Sequence, residues 1–182
     1  MKYMIASDIH GSERYCKDLL DAMQREQADK LLLLGDLLYH GPRNPLPEGY
    51  SPQAVAELLN ARKQQILCVR GNCDSEVDQM MLEFPIMAEY CIVSAGTRMI
   101  FATHGHVYHD ANLPMLQPGD VLLHGHTHIP ALEARDGYIY ANPGSVTLPK
   151  GGSVRSYLVL EDTMFTLKTL QGEVLEQLHL RV

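Results

Sequence analysis

Cysteine is scarce, with 4 in 182 residues, and Cys16, Cys68, Cys73 and Cys91 form no C-x-x-C pair. A disulfide framework is therefore excluded as the organising device, and reduced thiols are expected. Long apolar runs are missing as well. The longest purely aliphatic stretch, residues 31–34, falls far short of the roughly 20 apolar residues that a bilayer span needs. The N-terminus enters a strand-like segment at once, with no charged n-region, long h-region or small-residue cleavage site, which predicts a cytoplasmic protein. Basic residues are outnumbered, 15 Lys and Arg against 22 Asp and Glu for a net charge of −7. Neither long nucleic acid nor an anionic membrane surface is an expected partner. No G-x-S-x-G, H-E-x-x-H, G-x-G-x-x-G or G-x-x-x-x-G-K-[ST] occurs, which sets aside serine hydrolases, zincins, dinucleotide-dependent oxidoreductases and P-loop enzymes.

What is present is ordinary globular material. Hydrophobic residues make up 46% and charged residues 20%, enough for a sizeable core. At roughly 100–200 residues per domain, residues 1–182 read as one domain. Residues 2–7 form a short apolar strand, a glycine loop follows, and residues 13–27 carry Leu19, Leu20, Ala22 and Met23 at helical spacing. Residues 30–34 are a buried strand, Ser51-Pro52 opens a helix to about Arg62, and residues 65–70 supply a third strand. This alternation predicts right-handed crossovers and neighbouring parallel strands. Beyond Met81 the pattern turns to strands at 87–93, 98–101, 121–123, 131–135, 138–141, 156–160, 164–169 and 174–178. Ala95-Gly96, Asp136-Gly137, Asp162-Thr163 and Gln171-Gly172 punctuate them, so the second half is expected to be mostly antiparallel. The proline-rich segment 41–52 reads as a long ordered loop beside a site.

Five short clusters each follow directly on a predicted strand: Asp8-x-His10-Gly11, Gly35-Asp36, Gly71-Asn72-Cys73-Asp74, His104-Gly105-His106 and Gly125-His126-Thr127-His128. Ligands of open α/β architectures collect at the carboxyl ends of strands, so clusters far apart in sequence can converge on one crevice. A neighbouring glycine lets the backbone turn sharply and approach an ion closely. Imidazoles, carboxylates and one side-chain amide, without a thiolate at the matched positions, suit Mn, Fe or Zn. A structural zinc needs four ligands, usually cysteine-rich, whereas Asp8, His10, Asp36, Asn72, His104, His126 and His128 make seven. Seven fit two ions roughly 3.5–4 Å apart if one carboxylate bridges them.

These blocks, in this order, resemble the calcineurin-like metallophosphoesterase superfamily, whose pattern is D-x-H, G-D, G-N-x-(D/E), H and G-H-x-H; the match spans Asp8 to His128. The short length and the string Arg70-Gly71-Asn72-Cys73-Asp74 are similar to its small bacterial and archaeal phosphodiesterases. The resemblance implies an α+β fold, a four-layer αββα sandwich of two mixed β-sheets flanked by helices, and a homo-oligomer, dimer or tetramer. It implies that Asp8, His10 and His128 hold one divalent ion, that Asn72, His104 and His126 hold a second, and that Asp36 bridges. Mn2+ is the expected metal, although Zn2+, Fe, Co2+ and Ni2+ use the same ligands. The implied activity is hydrolysis of small phosphodiesters by in-line attack of a metal-bridging hydroxide, with Asp36, Asn72, Cys73, Asp74 and His40 as catalytic candidates. Alternatives are a phosphomonoesterase or nucleotidase of the same superfamily and a non-catalytic scaffold built on the fold. Degenerate scaffolds typically lose a ligand, and all seven positions are filled here.

Two departures matter. Many members carry histidine where this chain has Cys73, and a thiol of pKa about 8.5 is a poor acid toward a leaving oxygen near neutrality. A preference for leaving groups that are already acidic follows. A covalent role for Cys73 is the less economical reading, since water activated by metal already supplies a nucleophile. Where protein phosphatases of the superfamily carry aspartate and arginine, this chain has Tyr39-His40-Gly41; His40 remains a candidate phosphate donor, and Arg43 a substitute grip. Each residue alone has an ordinary explanation, Asp8 or Ser12 as a helix N-cap for instance, but five such clusters in the family order do not. His106, His109, His124 and His179 are read as hydrogen-bonded or solvated, with His106 nearest to a candidate.

Overall fold

The structure is a computed structural model and describes residues 1–181. Strand β1 (Lys2–Ala6), helix α1 (Glu13–Glu26), β2 (Lys30–Leu33), α2 (Pro52–Asn60), β3 (Ile66–Cys68) and α3 (Glu76–Met81) build the first half. Then come β4 (Tyr90–Ala95), β5 (Arg98–Thr103), β6 (Val121–Leu123), β7 (Ala131–Ala134), β8 (Ile139–Asn142), β9 (Ser156–Glu161), β10 (Met164–Thr169) and β11 (Val174–His179). They form two sheets, the 6-stranded sheet I in the order β11-β10-β9-β1-β2-β3 and the 5-stranded sheet II in the order β4-β5-β6-β8-β7. Both are mixed: β1 pairs in parallel with β2 and β2 with β3, while β9, β10 and β11 join through antiparallel hairpins.

Side-chain alternation along each strand, period two, assigns the layers. On one face of sheet I, Met4, Ala6, Leu31 and Leu33 meet Leu19, Ala22 and Met23 of α1 and Val55 and Leu59 of α2. On the other face Ile5, Leu32, Leu158 and Phe165 interleave with Ile100, Ala102, Val121, Leu123 and Ala141 of sheet II. The expected sandwich of two mixed sheets is therefore observed, with helices α1 and α2 packed against the outer face of sheet I. The outer face of sheet II, with Phe101, Leu122 and Tyr140, is covered by Tyr108, Leu116 and Tyr138 from loops rather than by a helix.

Local signals explain most boundaries. Ser12, not Asp8, is the N-cap of α1, its side chain accepting from the Tyr15 N–H, and Gln27 closes the helix in a left-handed conformation at φ 53°. Proline opens α2, but the Ser51 side chain makes no capping bond. The sequence reading contained no α3, a short helix with no buried residue whose capping box, Ser75 with Asp78, is its only strong signal. The strand expected at 87–93 starts at Tyr90, because the chain before it is tied instead to the end of the β3 segment, the Arg70 N–H donating to the Ala88 carbonyl at 2.7 Å. In the second half β5, β6 and β8 are mutually parallel, which turn signals alone did not show. Loop 41–52 is ordered as expected: the Ser12 hydroxyl donates to the Glu48 carbonyl at 2.7 Å, the Ser51 N–H to the Gly11 carbonyl at 2.8 Å, and Arg14 pairs with Glu48. All four cysteines are free, and among the described residues no helix is long and apolar enough to cross a membrane.

Candidate metal centre

The five clusters fall where the parallel strands of both sheets run out. Asp8 and His10 follow β1, Asp36 follows β2, Asn72 follows β3, His104 follows β5, and His126 and His128 follow β6. Main-chain bonds stitch these ends together: Asp8 N–H to the Gly35 carbonyl at 3.1 Å, His10 N–H to the Asp36 carbonyl at 2.9 Å, and Gly125 N–H to the His104 carbonyl at 2.9 Å. The two sheets are joined at this rim by the His126 N–H, which donates to Asp8 Oδ2 at 3.0 Å.

The backbone is strained here. Asp8 (φ 60°), His10 (φ 51°), Asp36 (φ 57°), His126 (φ 65°) and His128 (φ 61°) all lie in the left-handed region. Each such residue costs on the order of 1–3 kcal/mol and persists only where its surroundings over-determine it. Those surroundings are visible. The Ser145 hydroxyl donates to the Asp8 carbonyl at 2.9 Å and the Thr147 hydroxyl to the Ile9 carbonyl at 2.8 Å. Glycine is required where strand ends touch: a Cβ on Gly35 would collide with the main chain of Gly71, and one on Gly71 with Asp36.

The side-chain donor atoms form two groups that share one carboxylate. In the first, His10 Nε2 lies 3.5 Å from Asp8 Oδ1 and 3.3 Å from His128 Nε2, and His128 Nε2 lies 3.2 Å from Asp8 Oδ1. In the second, His104 Nε2 lies 3.0 Å from Asn72 Oδ1 and 3.1 Å from His126 Nδ1. Asp36 Oδ2 stands between them, 3.7 Å from His10 Nε2 and 3.5 Å from His104 Nε2. With ligand bonds of about 2.0–2.2 Å, neighbouring donors around one ion sit about 3.0–3.6 Å apart.

Hydrogen bonding fixes the tautomers that ligation needs. His10 Nδ1–H donates to the Tyr39 carbonyl at 2.9 Å, His104 Nδ1–H to the Leu34 carbonyl at 2.6 Å, and His128 Nδ1–H to the Leu148 carbonyl at 2.6 Å. Nε2 of each ring is left with its lone pair facing the cluster. Asp36 Oδ1 accepts the Cys73 N–H at 2.8 Å, which leaves Oδ2 for the centre. Asp8 Oδ1 is buried with no hydrogen-bond partner, an arrangement costly for a bare carboxylate and natural for one that meets a cation. The residues thus fit a pair of divalent ions.

Electrostatics agree. Burial alone would raise the Asp8 carboxyl, but His10 and His128 outweigh it and hold Asp8 well below the usual carboxylate range. Burial would lower His10, yet the carboxylates of Asp8 and Asp36 raise it. Burial and neighbouring His104 bring His126 down to about 4, so its ring is neutral at pH 7. Burial and the Asp36 carboxylate push the Cys73 thiol up to about 12.

Of the other candidates, Cys73 lies at the rim, its sulfur accepting from Asn72 Nδ2 at 3.2 Å. Asp74 is buried and does not face the cluster: Oδ2 accepts the N–H groups of Asp36 and Gly71, each at 2.8 Å, and Oδ1 that of Leu37 at 2.9 Å. It clamps the β2 and β3 ends together, while burial and nearby Asp36 push its carboxyl up. His40 stands apart, its ring edge-on to Tyr39 at 4.8 Å and Tyr50 at 5.2 Å. The His106 ring is 5.4 Å from that of His104; among the described residues neither it nor His126 joins a His, Cys, Asp and Glu group whose donors all lie within 4.8 Å of one another, whereas Cys73 Sγ joins one with His10 and Asp36. Sequence reasoning missed Ser145, Thr147 and the Leu148 carbonyl, which brace Asp8, Ile9 and His128; their one signal is the turn-rich string Asn142-Pro143-Gly144-Ser145.

Comparison with known proteins gives the class. The model of the calcineurin-like phosphoesterase superfamily domain matches residues 1–163, and the chain belongs to that superfamily. It is 48% identical over 173 residues to the phosphodiesterase YfcE of Escherichia coli K12, covering 95% of this chain and 94% of that protein. It is 29% identical over 194 residues to the probable metallophosphoesterase YsnB of Bacillus subtilis, covering 100% of this chain and 99% of that one. Among solved structures, E. coli YfcE, a phosphoesterase, superposes with a TM-score of 0.96 at 46% identity, over 100% of both chains. Vps29 of Entamoeba histolytica, with a TM-score of 0.63 and 21% identity over 100% of both chains, shares the fold.

Proposed function

We propose that this chain is a metal-dependent phosphodiesterase that hydrolyses small phosphodiesters with two divalent cations, one held by Asp8, His10 and His128, the other by Asn72, His104 and His126, with Asp36 serving both. The observation that carries this reading is the position of Asp36 Oδ2, 3.7 Å from His10 Nε2 and 3.5 Å from His104 Nε2. When bound, such a pair polarises the non-bridging oxygens of a phosphate and supplies an activated water for in-line attack. The chain's own contribution is to present bare imidazole nitrogens, by committing each Nδ1–H of His10, His104 and His128 to a carbonyl, and to keep Asp36 Oδ2 free by occupying Oδ1 with the Cys73 N–H. Asn72, in the second group, lies beside the Cys73 thiol. Asp74 positions the Asp36 loop and does not touch substrate.

Manganese is the metal the family resemblance implies; the oxygen and imidazole donors also suit Zn2+, Fe, Co2+ and Ni2+. The net charge of −7 supports small esters over long nucleic acid, free thiols support a reducing cytoplasm, and exposed Tyr90 and Ile92 on edge strand β4 suit a homo-oligomer, dimer or tetramer. The test is metal analysis, then a chromogenic diester assay after chelation and return of Mn2+, with a monoester in parallel. Activity that needs metal and favours the diester is expected; a faster monoester rate, or no metal dependence, overturns the reading. In isotopically labelled water a single turnover places label in the phosphate product and none on the protein.

A further inference from the structure

Three cavities border the candidate metal centre; one, of about 400 Å³, is lined by His106, His124 and His126, and the other two differ in chemistry. One, of about 500 Å³, lies over Asp36, His126 and His128 and is walled by Arg43, Asn44 and Lys150. The other, of about 600 Å³, is walled mainly by Leu38, Tyr39, Pro42, Tyr50 and Val77, with Ser75 and Asp78 also lining it. Asn72, Cys73 and Arg43 line both, so the apolar cavity opens directly onto the ligand cluster.

Its wall is prearranged. The His40 ring sits edge-on to both Tyr39 and Tyr50, at 4.8 and 5.2 Å between centroids, which holds two aromatic rings in place. Val77 of α3, a helix that buries none of its residues, lines the same cavity. Tyr39 is 41% and Val77 66% exposed, so folding does not account for either apolar side chain at this rim, whereas a planar ligand between them does.

We infer that this cavity is a subsite for one ester arm, and that the preferred substrate is an asymmetric diester with a planar apolar arm between Tyr39 and Val77 and a polar, anionic arm toward Arg43 and Lys150. The inference rests on the phosphodiesterase reading above. The two substituents of a phosphate diverge tetrahedrally from phosphorus, so a group seated over the ligand cluster sends one arm toward each cavity. His40 is then a positioning residue for the aromatic wall.

The test uses two non-hydrolysable probes with the same anionic head, phenylphosphonate and methylphosphonate, titrated calorimetrically into the Mn2+-loaded protein. Wild type should bind the phenyl compound at least about tenfold more tightly. In Tyr39→Ala and in Val77→Asp, both at exposed positions that leave the core intact, that margin should fall below about threefold while methylphosphonate affinity stays unchanged. Equal affinities in wild type, or a margin that survives both substitutions, overturn the subsite. Because binding is read without turnover, absence of diesterase activity sinks the functional reading and leaves this measurement intact.

Discussion

The candidate metal centre and the C-terminal meander of β9, β10 and β11 share the same pair of sheets and are built by opposite rules. The meander is local: β9 pairs with β10 and β10 with β11 in antiparallel registers joined by tight turns, the second broken only by a shift between Leu167 and Lys168, and its residues Tyr157, Leu158 and Phe165 are fully buried. The centre is non-local: five of its seven candidate ligands hold left-handed backbone, one buried carboxylate oxygen has no partner, and the braces come from far along the chain, as when Ser145 reaches Asp8. Local consistency marks the scaffold, and sustained local inconsistency marks the place where a ligand repays it.

Replacements at the two places separate these rules. Asp36→Asn tolerates the left-handed backbone but removes the shared charge; kcat/KM for a diester should fall by about 10³-fold or more, with an unchanged circular dichroism spectrum. Phe165→Ala should do the reverse, costing about 3–5 kcal/mol in urea unfolding while activity per folded molecule stays as it was. Asp74→Asn probes the clamp: metal affinity should drop roughly 10–100-fold, read by competition with a chromophoric chelator, although Asp74 faces no ion. A loss of stability without loss of affinity would move Asp74 to the scaffold side.

Smaller effects sharpen the contrast within the centre. His10 must be unprotonated to bind metal, and its pKa is raised above 6.5. Affinity of the Asp8–His10–His128 group is therefore full above that raised value and declines as pH falls through it, by about tenfold per pH unit below. His126, lowered to about 4, adds no such dependence near neutrality. Metal titrations from pH 8 to pH 5.5 show whether the decline begins above the ordinary histidine range. Cys73→His should raise rates several-fold for alkyl esters, whose leaving oxygens need a proton, and little for aryl esters. Unchanged relative rates across a leaving-group series would refute a proton-donor deficit at Cys73.

How much of this was legible beforehand differs by element. α1, α2, β1, β2 and the hairpins carry their own periodicity and turn residues, and they fall within a few residues of expectation. α3 was missed because a six-residue helix with no buried side chain has no amphipathic stripe to read. The parallel pairing of β5, β6 and β8 was missed because parallel neighbours share no turn. The seven ligand candidates were legible because each is a metal-capable residue just after a strand, five of them beside a glycine. Ser145 and Thr147 were not, since a hydroxyl that braces a carbonyl across 137 or 138 residues looks like any other serine or threonine.

By itself, then, the sequence determined the inventory: which strands and helices form, which side chains carry metal-binding donors, and in what order they arrive, because composition and periodicity act over a few residues. Tertiary structure alone decided that Asp36 Oδ2 faces both imidazole groups, that Asp74 serves the backbone instead of the site, and that Tyr39 and Val77 frame a cavity beside Cys73. Those facts depend on where strand ends from two sheets meet, and distances between residues remote in the chain are set only when the sheets pack.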